Sequence, residues 1–324
     1  MIDKRLAFIE RHDFFILTTH DPADADGLGA QMVLACILRW KNKRFRIINA
    51  SAIPKHFRPM DPHDIVEQWD NLQHGGLLEQ SGLFLLDTAD ENNTGKMKDL
   101  IFRAKEVFVI DHHEPKPFAA FPGIADSTAA STCEITVEMA DILGAVIDQQ
   151  TALSAYIGIA YDTGFFAYPK TSPRTLRAAL TLLGSGVNPS DVYRQLNENT
   201  SPEALLLQKK AISSLTLYCQ NRVAVQSLRL KDFVETGAAH DETDGFVNFP
   251  LKSRDIVVSL LLKESPEGKV RCSLRSKGAI NVAKIAQSLG GGGHINASGF
   301  KSEQNIERTR TQALTKIAEY LGMP

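Results

Sequence analysis

FFILTTHDPADADGLGAQMVLACILRWK, residues 14–41, decides how the chain begins to fold. Its first six residues are apolar or β-branched and read as a short buried strand. A polar segment follows, THDPADADGLGA, which sets His20, Asp24 and Asp26 among the small residues Gly27, Gly29 and Ala30. From about Leu28 to Lys41 the run has helical length and ends in polar residues. Strand, acidic loop, helix is the opening of a βαβ unit.

Outward from it the same rhythm repeats. FRIINA (45–50), LFLLD (83–87) and VFVID (107–111) are compact, β-rich and bounded by polar residues. The pattern predicts an α/β fold whose N-terminal domain is a mostly parallel sheet with helices on both faces. Such sheets bind ligands in the crevice beyond the carboxyl ends of their strands, so the polar residues just after each apolar run are the ones to inspect. From Gln149 the pattern turns helical, through QQTALSAYIGIAYD and SPRTLRAALTLLGSG. VNPSDVYRQLNENTSPEALLLQKKAISSL carries two cap-and-proline starts and no strand pattern, and predicts a helical linker. Beyond Asn221 the runs RVAVQSLRL, DIVVSLLLKES and KVRCSLRSK, then a helix (NVAKIAQSL), a glycine cluster and a last amphipathic helix, predict a smaller α+β domain. The expected division is 1–186 for the first domain, 187–220 for the linker and 221–324 for the second domain.

Composition narrows the function classes. The 324 residues suit two domains, and 43% hydrophobic with 23% charged residues is an ordinary globular balance. A net charge of −2 supplies no global positive field for a long polyanion, which argues against processive binding of duplex nucleic acid. Cys36, Cys133, Cys219 and Cys272 are far apart and form no CxxC pair, so neither a zinc knuckle nor a disulfide framework is expected. The N-terminus lacks a signal-peptide apolar region and no stretch approaches a membrane span, so the expectation is a cytoplasmic, soluble protein that meets no membrane. The sequence leaves a homodimer open.

Acids and histidines recur at four of the ends where an α/β sheet presents ligands. They are His20, Asp24 and Asp26 after the first run, Asp87 in LLDTAD, Asp111, His112 and His113 in VIDHHE, and Asp162 in AYDTG. Taken singly, each is ordinary: turn chemistry for Asp-Ala-Asp-Gly, a solvated loop start for an acid after a strand, a surface pair for two histidines. Their coincidence points instead to a metal site, and mixed carboxylate and imidazole donors suit Mn²⁺, Fe²⁺ or Zn²⁺ better than Ca²⁺. Six ligands, His20, Asp24, Asp26, Asp87, His112 and Asp162, are too many for one ion with open positions and about right for two ions sharing a carboxylate.

HDPADADGLGA, LLDTAD, VIDHH and AYDTG, in that order, resemble the four motifs of the DHH phosphoesterase superfamily, and RCSLRSKGAINVAKIAQSLGGGGHINASGF resembles its DHH-associated domain with the GGGH signature. The superfamily includes RecJ-type exonucleases, family II pyrophosphatases, exopolyphosphatases, nanoRNase-type oligoribonucleases and cyclic-dinucleotide phosphodiesterases. The resemblance implies two divalent ions, with Mn²⁺ the leading expectation. His20, Asp24 and Asp87 would hold one; Asp26, Asp87, His112 and Asp162 would hold the other, Asp87 bridging them. It implies catalytic roles for His113, facing the substrate phosphate, and for Asp111, fixing an imidazole tautomer from behind the ligands. One departure is Ala23, where close relatives place a proline before the first aspartate of D-x-D; here the proline is Pro22.

In the second domain Gly290 to Gly293 precede His294, and bare glycine backbone lets a chain approach an anion closely. Arg275, Asn281, Gly291, Gly292, Gly293 and His294 are the expected substrate contacts, with Lys277 and Asn248 near them; a flexible connector is the plainer alternative for the glycines alone. The arrangement is expected to be a grip domain facing the catalytic domain across a cleft. Ser131, Thr132 and Glu134, in AASTCEI, also resemble the nanoRNase-type branch, although helix capping is the favoured role. The size resembles that branch, which acts on very short oligonucleotides and on 3′-phosphoadenosine 5′-phosphate (pAp). Alternatives are a cyclic or linear dinucleotide (c-di-AMP, pApA) phosphodiesterase, an exopolyphosphatase, and a nucleotide-binding regulator without turnover.

Overall fold

β1 (Phe14–Thr19) sits inside the first sheet because every residue after Phe14 is buried. Its neighbours are β2 (Arg44–Asn49) on one side and β4 (Gly82–Leu86) on the other. β3 (Val66–Gln68), β5 (Glu106–Asp111) and β6 (Gly123–Ala125) complete the six-stranded order β3-β2-β1-β4-β5-β6, with every pairing parallel. The chain runs outward from β1 through β2 and β3, then returns to start β4 on the other side. That reversal makes the carboxyl ends of β1 and β4 a topological switch point, the usual place for a ligand. This computed structural model describes residues 4–114, 120–198, 200–243 and 245–322, the side chain of His294 excepted.

Alternation along each strand sends residues to two separate cores. Phe15, Leu17, Phe84, Leu86, Phe108 and Ile110 pack with the helices α1 (Lys4–Arg11), α2 (Ala25–Trp40), α4 (Thr132–Leu143), α5 (Gln149–Asp162) and α6 (Pro173–Gly184). Ile16, Leu83, Leu85, Val107 and Val109 pack on the opposite face against Leu78, Met97 and Ile101. Both faces are covered, but unequally: the second is roofed by 3₁₀ turns near 78–80, 91–97 and 101–103 and lies beside the one-turn helix α3 (Asn71–His74). The physical reason lies in ENNTGKM, whose Gly95 sits at φ +55° and breaks any regular helix.

The chain divides into two compact units, Met1–Glu198 and Asn199–Pro324. The second holds a sheet ordered β11-β12-β10-β9-β8-β7, from β7 (Thr216–Tyr218), β8 (Val223–Leu228), β9 (Val258–Glu264), β10 (Val270–Ser276), β11 (Gly292–His294) and β12 (Ala297–Ser302). Only β8 and β9 run parallel. α10 (Val282–Ser288) and α11 (Ile306–Leu321) cover one face; α8 (Pro202–Ser213), α9 (Leu230–Thr236) and residues 246–252 cover part of the other. The helices expected as a linker do not form a separate body. α7 (Pro189–Asn197) buries Val192 in the first unit, whereas α8 buries Leu207 and Ala211 in the second. Each therefore contributes buried apolar side chains to the core of its own unit. No helix among the described residues is long and apolar enough to cross a membrane, and all four cysteines are free thiols.

Candidate metal centre

α2 begins earlier than its apolar run suggests because Asp24 caps it. The Asp24 carboxylate accepts hydrogen bonds from the backbone N–H of Asp26 and of Gly27, both at 3.0 Å, which draws Ala25–Gly27 into the first turn. Turn chemistry and site chemistry are therefore one fact: the cap fixes Asp24 beside His20 and buries Asp26 on the first turn. Gly27 and Gly29 are required by packing. A Cβ at Gly27 would lie 2.3 Å from Thr19 Oγ1, and one at Gly29 would lie 2.6 Å from Cys133 Sγ.

Asp87 follows β4 directly. Its N–H still donates to Ile110 O at 2.9 Å, after which the chain leaves the sheet at φ +60°, a left-handed conformation that Asp tolerates better than most residues. Asp87 is 2% exposed and stands at the centre of the group. Its Oδ2 lies 3.3 Å from His20 Nε2, and its Oδ1 lies 3.5 Å from His112 Nε2. His20 also lies 3.4 Å from Asp24. His112, just past β5, lies 3.1 Å from Asp162 and 3.8 Å from Asp26. Asp162 is the last residue of α5, and the chain turns away through left-handed Gly164, Phe165 and Phe166.

All six residues expected as ligands thus converge in the first unit. Potential donor atoms form three triads, each with its atoms within 4.8 Å of one another: His20, Asp24 and Asp87; Asp26, His112 and Asp162; and Asp87, His112 and His113. The electrostatics call for positive charge. Burial, then Asp26 and Asp24, push the Asp87 carboxyl well above its ordinary range. Burial and Asp26 push Asp162 up to about 6. Burial disfavours charge on His20, but Asp24 and Asp87 outweigh it and raise the imidazole to about 11; for His112 the same contest, with Asp162, Asp26 and Asp87, ends at about 10. Both ring nitrogens of buried His112 lack a hydrogen bond of good geometry despite the carboxylates around them. A crowd of carboxylates around an imidazole without such a bond is the donor set a divalent ion needs.

Two expectations are corrected by the geometry. Asp111 was expected behind a ligating imidazole; instead its Oδ1 lies 2.7 Å from Nδ1 of His113, and it also accepts the His113 N–H at 3.2 Å. The side chain of His113, two residues on in the same tight turn, is the one within reach. Burial would raise Asp111, but the contact with His113 holds it below the usual carboxylate range. In the 131–134 stretch, capping accounts for Ser131, whose Oγ accepts the Glu134 N–H at 3.0 Å. It does not account for Thr132, whose hydroxyl donates to Asp87 Oδ1 at 2.8 Å and whose N–H donates to Asp26 Oδ2 at 2.6 Å. The signal for this was the threonine directly after the cap, a position where a hydroxyl has no preceding helical carbonyl to bind.

In the second unit Arg275 lies on β10 in register with Ala297 of β12, which pairs in turn with His294 of β11. The backbone of His294 ends β11, and its side chain lies outside the described residues. Asn281 is committed to structure, since its Oδ1 caps α10 by accepting the Lys284 N–H at 3.2 Å. Gly291 and Gly293 serve close strand packing: a Cβ would come within 2.1 Å of Gly299 O at the first and 2.6 Å of Ala297 O at the second. Gly292 has open space beside it, Lys277 donates to Ser253 O at 2.6 Å, and Asn248 is exposed.

Two family models match. That described as the DHH family, N-terminal domain, covers residues 15–159, and that described as the DHHA1 domain covers 220–323. The curated relatives include proteins named bifunctional oligoribonuclease and PAP phosphatase NrnA. That of Thermus thermophilus is 28% identical over 87% of this chain and 82% of its own length; that of Mycoplasma genitalium is 28% identical over 98% of both. Among solved structures, an exopolyphosphatase-related protein from Bacteroides fragilis superposes with a TM-score of 0.91 at 25% identity, covering 98% of this chain and 96% of its own. With the two models spanning most of the sequence in the order of its two units, the chain belongs to the DHH phosphoesterase family and carries that family's DHHA1 domain.

Proposed function

We propose that the protein hydrolyses phosphate esters of very short oligoribonucleotides and of pAp, in a cytoplasmic compartment, with two divalent ions, Mn²⁺ foremost, held by His20, Asp24, Asp26, Asp87, His112 and Asp162. The observation that carries this is the convergence of those side chains on Asp87, whose two carboxylate oxygens face different imidazoles. The relatives named oligoribonuclease and PAP phosphatase, similar over nearly the whole chain, support the substrate class. Bound ions at such a site would lower the pKa of a water and neutralise charge on the phosphoryl oxygens.

The chain's own residues do the rest. Asp111 Oδ1, 2.7 Å from Nδ1 of His113, orients that ring so that Nε2 is the nitrogen left for the phosphate, to which it would donate only as the doubly protonated imidazolium. The left-handed turn at Asp87 keeps the shared carboxylate at the end of its strand. In the second unit, Arg275 and the backbone around Gly292 and His294 are the groups assigned to grip the nucleotide's phosphate, Arg275 by a bidentate fork. The test is a comparison of kcat/KM for pAp, pApA, a 5-mer RNA, cyclic di-AMP and polyphosphate in Mn²⁺. pAp and the short RNA are expected to exceed polyphosphate by at least about tenfold. A preference for polyphosphate would overturn the nucleotide reading.

Loading is expected to release protons. Ligating imidazoles must be neutral, yet His20 and His112 hold their protons up to about 11 and about 10 in the metal-free protein. Their folded values lie above the ordinary one. Their protonation therefore stabilises the metal-free fold fully below pH about 6.5 and progressively less as pH rises through 10 to 11. Mn²⁺ must displace those protons, so apparent affinity should climb with pH across the neutral range. Calorimetric titrations at pH 7.5 in buffers of differing ionisation enthalpy should show about two protons leaving at full loading. Heats that do not depend on the buffer would contradict this assignment.

A further inference from the structure

The first turn of α4 lies directly against the carboxylate cluster. Thr132 and Glu134 are fully buried there. Two successive backbone donors, Thr132 N and Cys133 N, bind the two oxygens of Asp26 at 2.6 and 2.9 Å. The Thr132 hydroxyl then extends the same grip to a second carboxylate, Asp87. Behind it, Glu134 accepts the Ala130 N–H at 3.2 Å and lies 3.2 Å from Arg174 Nε, which in turn holds Glu138 and Asp126.

We infer that Thr132 is a positioning residue that fixes the plane of the shared carboxylate. The inference rests on the two-ion reading above. A carboxylate serving two ligand sets must keep one oxygen toward each set. Asp87 Oδ1 faces His112 and His113, at 3.5 and 3.8 Å, and Oδ2 faces His20 at 3.3 Å. Left alone, the terminal torsion of an aspartate is broad. One donor on Oδ1 selects the rotation that leaves Oδ2 for His20. Threonine suits the task because its branched Cβ stiffens χ1 and because the helix start offers its hydroxyl no preceding helical carbonyl. The helix N-terminus alone reaches only Asp26; the hydroxyl makes α4 hold both carboxylates in one frame, and Arg174 anchors that frame through Glu134.

The variants are Thr132→Val, which keeps the shape and removes the donor, and Thr132→Ser, which keeps the donor. Mn²⁺ affinity and stoichiometry are measured by calorimetry on the full chain, with circular dichroism to show that each variant is folded. The valine variant is expected to lose at least about tenfold in Mn²⁺ affinity and, at saturating Mn²⁺, to lose kcat with little change in KM; serine should restore both. A role in helix stability alone would lower the melting temperature and leave the affinity unchanged. Thr132→Ala replaces the valine variant if that one does not fold. Equal Mn²⁺ affinity in the wild type and the donorless variant overturns the inference and leaves the metal site standing. A wild type that binds no Mn²⁺ overturns both.

Discussion

Asp87→Asn is expected to lower kcat/KM on pAp by at least about a thousandfold while leaving the metal-free protein as stable as the wild type. Asn keeps the volume of the side chain and tolerates the left-handed backbone at φ +60°. Its carbonyl oxygen can still accept from Thr132. What disappears is the charge that both histidine-bearing ends of the cluster face. In the metal-free protein that charge is itself unfavourable, because burial and the neighbouring Asp26 and Asp24 push the carboxyl well above its ordinary range. Removing it relieves that cost but also withdraws one of the carboxylates that hold the protons of His20 and His112, so the metal-free melting temperature should change little, and the rise that Mn²⁺ gives the wild type should be abolished. Asp87→Ala adds left-handed strain of about 1–2 kcal/mol and is the poorer probe. Activity within tenfold of wild type in Asp87→Asn would end the shared-carboxylate proposal.

Much of this site could be read from the sequence because it is built at strand ends, where apolar runs stop abruptly at a charged residue. Asp87 and His112 are found that way without any knowledge of packing. Asp24 is instructive: its cap role and its place in the cluster come from the same short acidic loop, so the turn chemistry and the convergence with His20 and Asp87 are read from one stretch. Thr132 could not be assigned, because its partner Asp87 is 45 residues away and only the α4–sheet packing brings them together. Nor could the exchange of Asp111 from one histidine to the next, which depends on the tight turn after β5. The roof of 3₁₀ turns over the second face was also hidden, since such turns have no apolar period to detect. In the second unit, glycines read as an anion cradle prove to answer at Gly291 and Gly293 to strand packing as well.

Gly158→Ala should show how far the site depends on helix packing well behind its donor atoms. Gly158 lies on α5, one turn before Asp162, where α5 crosses α2. A Cβ there would stand 2.4 Å from Cys133 Sγ, 2.9 Å from Ala25 O and 3.2 Å from Asp26 Cα. Alanine gains about 1 kcal/mol over glycine in a helix interior, but overpacking a tight contact costs about 1–3 kcal/mol, and two of these three neighbours are backbone that cannot rotate away. Net destabilisation of up to about 2 kcal/mol is expected in urea unfolding. The larger effect should be on activity, because the strain is relieved by moving α5, which carries Asp162, away from α2, which carries Asp26. A displacement of about 1 Å at a reacting centre can cost about a hundredfold in rate, and that is the loss expected here. Cys133→Ala in the same chain removes the nearest obstacle and should return part of the stability, so the two substitutions should be non-additive. The Ala25 carbonyl remains in place, so activity should recover less than stability does. A Gly158→Ala protein with wild-type activity would mean that Asp26 and Asp162 do not need the close α2–α5 contact to act together.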